Sequence, residues 1–311
     1  MRRSVVPVTA VVAACFLNDV ALTGVVIAGI AAAVAPAEDF CRRLRLPALA
    51  AALLVIADLA FRSAPSGGVL RVAALFGACA LVATVGAAPF LHPIGRLEGD
   101  TRPDAWLLFV APVLATVIWS RVLPLVQSAA PAFASLLIGF GLLNLFWGVL
   151  GGWLSEDEAL ASRHSVLAEW GLVLVGFGLL TSSGVAAAYL VMLTLLLVRL
   201  PLQLWAEEQP AAEGRRPRRL LNLAILAAIA GAAPFAGFTA RVLLLRASTQ
   251  VYWPLAVLLA GGMLLWVPQA VRQGRRLGHL PGRAAAAAGV CLGASLLAGL
   301  YPAPLLRFGG L

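Results

Sequence analysis

The sequence predicts an all-α fold, a polytopic bundle of about ten transmembrane helices. Three observations predict it. Of 311 residues, 61% are hydrophobic and only 12% charged, with a mean hydropathy of +0.95, and no water-soluble fold hides that much apolar surface. Apolar runs of about 20 residues recur from end to end, each long enough to cross a hydrocarbon core of roughly 30 Å. Clusters of Pro, Gly and charge punctuate those runs and are the natural loops. A soluble enzyme, a nucleic-acid binder and a secreted module are all excluded.

Ten spans follow in order: 5–35, 47–62, 69–91, 105–127, 130–154, 165–182, 184–205, 220–240, 250–271 and 284–306. The first follows Met1-Arg2-Arg3, is too long for a signal-peptide core and has no cleavage site, so it reads as a retained helix. The short second span lies between Arg45 and Arg62, and the third opens after Gly67-Gly68 and ends about Pro89. The fourth follows Pro103; the fifth stops at the Glu156-Asp157-Glu158 cluster, after which the sixth begins. The seventh ends before Glu207-Glu208, and the eighth follows the arginine cluster of 215–219. The ninth closes at Arg272 and the tenth follows Pro281-Gly282-Arg283. Pro89 and Pro234 lie inside apolar spans and remove backbone donors, which predicts broken helices at 231–237, including Gly237, and around 87–90. The whole chain, 1–311, is read as one transmembrane domain.

Sidedness comes from arginine. All 23 basic residues are Arg, and none is Lys. Alternate loops carry 14 on one side, from Arg42 to Arg283, and 8 on the other, from Arg2 to Arg307. The richer side is cytoplasmic by the positive-inside rule, which places the chain in the cell inner membrane with both termini on the outer side. The net charge of +9 needs no nucleic acid, because the basic residues sit in short loops where lipid headgroups and topology explain them. Cys15, Cys41, Cys79 and Cys291 are scattered without a C-x-x-C pair. No phosphate-binding or dinucleotide glycine motif occurs, so an energy source must be an ion gradient or a partner.

Ionisable groups inside the membrane are expensive and are candidates for function. Asp19 lies mid-span in the first run, Asp58 near the end of the second, Glu169 a turn into the sixth, Arg199 near the end of the seventh and Arg241 after the Pro-Phe-Ala-Gly-Phe break. Asp19 is either a proton-binding carboxylate or a helix–helix hydrogen-bonding group. Asp58 and Glu169 are placed near the interface, reaching water, and Arg199 and Arg241 can snorkel to headgroups. His92, His164 and His279 fall in or beside loops at unrelated spacings, so neither a metal site nor a cofactor site is signalled, and no catalytic motif appears.

Three segments, in order, carry a resemblance. Gly231-Ala-Ala-Pro234-Phe235-Ala-Gly237-Phe238-Thr-Ala-Arg241 resembles the G-x-P-x-x-G-F-x-x-K segment of the antiporter-like membrane subunits of respiratory complex I, membrane-bound hydrogenases and Mrp antiporters. The stretch 156–171, with Asp157, Ser165 and Gly171 in register and Glu169 in place of Gln, resembles their T-D-x-K-R-x-L-A-Y-S-S-I-S-Q-x-G segment. Ala88-Pro89-Phe90-Leu91-His92 through Arg102-Pro103 resembles their V-P-F-H-x-W-L-P-D-A segment. The resemblance implies that 69–306 matches the last eight core helices of a fourteen-helix subunit, with 1–62 a remnant of the preceding part. It also places Asp19 at or beside the family's intramembrane Glu.

The departures matter as much. The family moves protons along a mid-membrane string of Lys, Glu and His, and a buried Lys can give up its proton. Here the first Lys position reads Thr84 and the one after the G-F motif reads Arg241, which holds its proton. The resemblance therefore implies a shortened, diverged membrane subunit of a complex I-like or Mrp-like ion-translocating complex, surrounded by other membrane subunits and lipid, without a cofactor and at most a non-catalytic part of an enzyme. Two roles stand open: partial proton transfer through Asp19, Glu169 and Arg241, or a sealing scaffold. The alternative is a stand-alone small-solute transporter, against which stand the lack of an inverted repeat pairing the halves and of a polar midplane cluster.

Overall fold

The computed structural model describes residues 19, 21–26, 29, 40–63, 67–90, 111–125, 129–199, 219–275 and 282–303. Among them there is no strand. Ten α-helices run in order: α1 Phe40–Ser63, α2 Gly67–Thr84, α3 Ala111–Leu125, α4 Ala130–Leu154, α5 Glu158–Gly178, α6 Ser182–Thr194, α7 Arg219–Ala230, α8 Ala236–Val251, α9 Trp253–Arg275 and α10 Gly282–Leu300. A π turn, Leu195–Arg199, continues α6. Among the described residues five helices are long and apolar enough to cross a bilayer, and the all-α bundle expected from the apolar runs is what forms. In lipid no water is available to the backbone, so helices that satisfy their own hydrogen bonds are the solution such runs adopt.

The chain divides into two units, one holding α1 to α3 and α4 up to Leu137, the other α4 from Ile138 through α10. In the first, α1 packs on α2 and α2 on α3. Small residues set that packing: α2 buries Ala73, Ala74, Gly77, Ala78 and Ala80, and a Cβ on Gly77 would come within 2.9 Å of Val122 Cγ1. Close approach through small residues is how apolar helices gain contact where no hydrophobic driving force separates them from lipid.

In the second unit α5 is the central helix. Residues 165–179 are all buried, and Trp170 and Phe177 are among the largest fully buried side chains. α5 packs on α6, α6 on α8, and α9 on α7, α8 and α5. α4 approaches α5 through glycine: a Cβ on Gly141 would meet Gly171 O at 2.7 Å, and one on Gly148 would meet His164 O at 2.5 Å. Tyr252, Trp253 and Tyr301 are exposed where α8 ends, α9 begins and α10 ends, the position of an aromatic belt.

Both expected breaks are present, and they share one construction. The pentapeptide Gly-Ala-Ala-Pro-Phe occurs at 86–90 and again at 231–235. At the first, Gly86 has φ +64°, its N–H donates to Ala83 O at 3.2 Å, and Ala87 N–H donates to Val82 O at 3.1 Å. At the second, Gly231 has φ +65°, with Gly231 N–H to Ala228 O at 3.2 Å and Ala232 N–H to Ala227 O at 2.8 Å. Both are Schellman ends, in which a left-handed glycine lets two N–H groups satisfy the last carbonyls. The eighth span expected at 220–240 is thus two helices, α7 and α8, the second reaching Val251. Helix resumes at Ala236, so Gly237 sits in the first turn of α8, where a Cβ would meet Gly231 Cα at 3.3 Å. The repeated pentapeptide is also internal sequence similarity between the two halves, which the reading of spans alone does not register.

Candidate functional site

Ser165 and Glu169 are one turn apart on α5 and share a face. Opposite them the π turn ends at Arg199, whose side chain is buried with Glu169 at 3% and 5% exposure. Arg199 Nε donates to Glu169 Oε1 at 3.1 Å, and its Nη2 donates to Ser165 Oγ. Ser165 Oγ also accepts from Trp266 Nε1 of α9 at 2.9 Å. One hydroxyl thereby ties α5 to α9 and to the turn that carries Arg199. π turns recur at functional sites because they redirect a side chain without ending the helix.

Arg241 of α8 completes the cluster. Its guanidinium lies 4.6 Å from the centroid of the Trp266 ring, and that of Arg199 lies 5.2 Å from it, so the indole face receives two cations. Arg241 Nη1 donates to Ala230 O, the last carbonyl of α7. This is favourable, because helix C-termini expose carbonyls and attract cations. Gly231 makes the seat: a Cβ there would collide with the Arg241 guanidinium. A small cavity of about 10 Å³, near the size of one water, is lined by Glu169, Arg241 and Trp266 and by the apolar side chains of Leu145, Leu172 and Met263. Glu169 Oε2 is buried without a hydrogen-bond partner. By formal charge, two guanidiniums face one carboxylate.

The other two sequence candidates meet in the first unit. Asp19 Oδ2 and Asp58 Oδ2 each lie 2.8 Å from Arg62, at Nη2 and Nε. Asp19 is not inside a helical turn, as the mid-span reading has it. It stands before the helical residues 21–26, and its Oδ1 accepts from Leu22 N–H at 3.1 Å, an N-cap interaction. Asp58 is 5% exposed and Glu169 4%, so both side chains are buried within the protein. Arg199, 2% exposed, does not snorkel, because Glu169 and Ser165 supply its partners. Thr84, at the first Lys position of the resemblance, is buried and donates to Ala80 O at 2.8 Å in its own helix. Among the described residues no three His, Cys, Asp or Glu side chains converge as metal ligands. Sequence reasoning missed Ser165, Arg199 and Trp266 as members of one site; the available signal was a Glu and an Arg of opposite charge in consecutive apolar spans.

No family model matches the sequence, and no curated protein sequence matches it. Solved structures do. A chain of the Mrp complex from Dietzia sp. DQ12-45-1b superposes with a TM-score of 0.74 at 15% identity, over 94% of this chain and 38% of that one. A chain of the membrane-bound sulfane sulfur reductase, an archaeal respiratory membrane complex, gives 0.71 at 15%, over 92% and 57%. A chain of respiratory complex I from Thermus thermophilus gives 0.62 at 15%, over 97% and 72%. This chain has the fold of those membrane-complex subunits. It spans less than two thirds of the length of the first two. The resemblance read from the three sequence segments and the likeness of fold point to the same group of proteins.

Proposed function

We propose that this chain is a membrane subunit of an ion-translocating complex and that its proton-binding group is Glu169. The observation that supports this most is a buried carboxylate with one oxygen held by Arg199 and the other unpartnered. Arginine keeps its proton throughout the accessible range, so in this cluster only the carboxylate can take one up and release it. Arg199 and Arg241 then act as fixed charges. Protonation of Glu169 replaces an ion pair with a neutral acid beside two cations and loosens the hold of Arg199, a local charge change of the kind that membrane carboxylates supply in proton relays. Partners are other membrane subunits, as in the complexes that share the fold.

The sealing role keeps one specific observation in its favour, the seat of Arg241 on the Ala230 carbonyl across the helix break. Glu169→Gln separates the two roles, since it preserves volume and an oxygen that can accept from Arg199. For proton transfer, the complex purified and reconstituted in vesicles should assemble normally while its proton uptake falls at least about tenfold, roughly 1.4 kcal/mol in the limiting step. Unchanged uptake would leave the sealing role. Asp19→Asn is the companion experiment. It keeps the cap to Leu22, and its partner Arg62 is exposed, so assembly and thermal midpoint should stay near wild type. A strong fall in uptake with this variant would move the proton site to Asp19.

A further inference from the structure

We infer that the C-terminal turn of α10 clamps the break between α7 and α8, and that Gly299 and Thr239 are the positioning residues through which it holds Arg241 at the Glu169 cluster. α10 lies along both elements that carry the arginines: it packs on α8, which holds Arg241, and on the π turn that ends at Arg199. Ala285, Ala288, Leu292, Ser295 and Gly299 follow one another at helical spacing on its inner face, and the first four are buried. All but Leu292 are small, and small residues let helix backbones meet.

At Gly299 the contact is with backbone. A Cβ there would collide with Pro234 O, and it would lie 2.6 Å from Phe235 C and 2.7 Å from Ala236 N. These atoms belong to the link between the Gly231 turn and the first residue of α8, so α10 rests on the link itself and no rotamer change makes room for a side chain. Thr239, in the first turn of α8, adds a directional tie: its Oγ1 donates to Gly299 O at 2.9 Å. That carbonyl lies in the last turn of α10, where a helix leaves its acceptors unused, so the hydroxyl completes the end of α10 as well.

Thr239 and Arg241 are two residues apart, about 200° around the helix, so α10 grips one side of α8 while Arg241 leaves the opposite side toward Trp266. There the guanidinium reaches Ala230 O and lies 4.6 Å from the indole centroid. That seat requires the end of α7 and the first turns of α8 to keep a fixed separation, and the link that fixes it is the one Gly299 touches. A methyl at Gly299 must push the link or lift α10, and loss of the Thr239 hydroxyl frees the tie. In both cases α8 is free to turn, and Arg241 withdraws from the indole and from Glu169. This rests on the reading of Glu169 as the proton site only for what proton uptake should do; the seat of Arg241 is read independently of it.

The test is Trp266 emission in the detergent-solubilised complex, taken for each variant as the difference from the same variant carrying Trp266→Phe, so that the other tryptophans cancel. Arg241→Gln sets the spectrum without the second cation. Gly299→Ala and Thr239→Val should each move the Trp266 spectrum most of the way to that of Arg241→Gln, and neither should move it further once Arg241→Gln is present. A merely structural weakening of α10 would lower the thermal midpoint and leave the spectrum in place. Thr239→Ser keeps the hydroxyl and should restore the wild-type spectrum. Gly293→Ala, on the same helix with nothing within 4 Å of its Cβ, should also match wild type. An unmoved spectrum in Gly299→Ala and Thr239→Val overturns the clamp, as does a shift of equal size in the Arg241→Gln background. Identical spectra for wild type and Arg241→Gln would remove Arg241 from the indole and the clamp with it. Should Gly299→Ala fail to assemble, Thr239→Val decides alone. In vesicles, uptake should fall about tenfold in Gly299→Ala and about fivefold in Thr239→Val, the rate equivalent of one lost hydrogen bond. A moved spectrum together with unchanged uptake in Glu169→Gln would keep the clamp and end the proton reading; an unmoved spectrum with uptake lost in Glu169→Gln would do the opposite.

Discussion

Arg199→Met is expected to be the most damaging single substitution at the site. The change keeps the length and apolar stem but removes the charge that faces Glu169 at 3.1 Å and the donor to Ser165. Breaking a buried pair by deleting one partner costs about 3–5 kcal/mol, because the remaining charge is left without compensation. Arg241 cannot take over while it is held on Ala230 O and the Trp266 face. Adding Glu169→Gln removes the orphaned carboxylate, so the double variant should recover about 2–3 kcal/mol of the loss, a coupling of the size contacting residues show. The measurement is the apparent thermal midpoint of the detergent-solubilised protein across the four members of the cycle. A double variant no more stable than Arg199→Met alone would mean that the pair is not the unit described. Arg199→Lys should fall between, since an ammonium keeps the charge but not the two-armed geometry that reaches both Glu169 and Ser165.

That pair is also where reading the sequence stops short. Apolar runs and their punctuation suffice for the all-α bundle, because in lipid the backbone leaves few alternatives. Pro89 and Pro234 marked the breaks correctly, yet hydropathy runs unbroken through 220–240 and hid the division into α7 and α8. The sharper signal was the glycine three residues before each proline, repeated within Gly-Ala-Ala-Pro-Phe, since a left-handed glycine ends a helix where a proline alone can only kink it. Asp19 was visible as a charge but not as a cap, because an aspartate inside an apolar run looks the same whether it faces a neighbouring helix or starts one. Arg199 and Glu169 are 30 residues apart in sequence, and nothing local says that a π turn will face one toward the other. Their opposite signs in neighbouring spans hold that information, and only an argument about the cost of each charge in isolation extracts it.

The second large effect is expected at Gly171, where packing rather than charge decides. A Cβ there would meet Leu145 N at 2.5 Å and Gly141 O at 2.6 Å. Both are backbone atoms of α4, so no rotamer change relieves the clash, and the helices must separate by roughly an ångström to reach ordinary contact. Overpacking of this kind typically costs 1–3 kcal/mol, and Gly171→Ala should sit at the upper end, about 3 kcal/mol. Separation also withdraws Leu145 from the cavity wall and lifts Gly148, Gly151 and Gly152 off α5 and α9, so proton uptake should fall with stability. Gly139→Ala is the control, on the same helix two residues from Gly141, with nothing within 4 Å of its Cβ. Alanine is the better helix former by up to about 1 kcal/mol, so that variant should keep or raise the thermal midpoint. Equal midpoints for Gly171→Ala and Gly139→Ala would show that α4 and α5 do not meet through glycine.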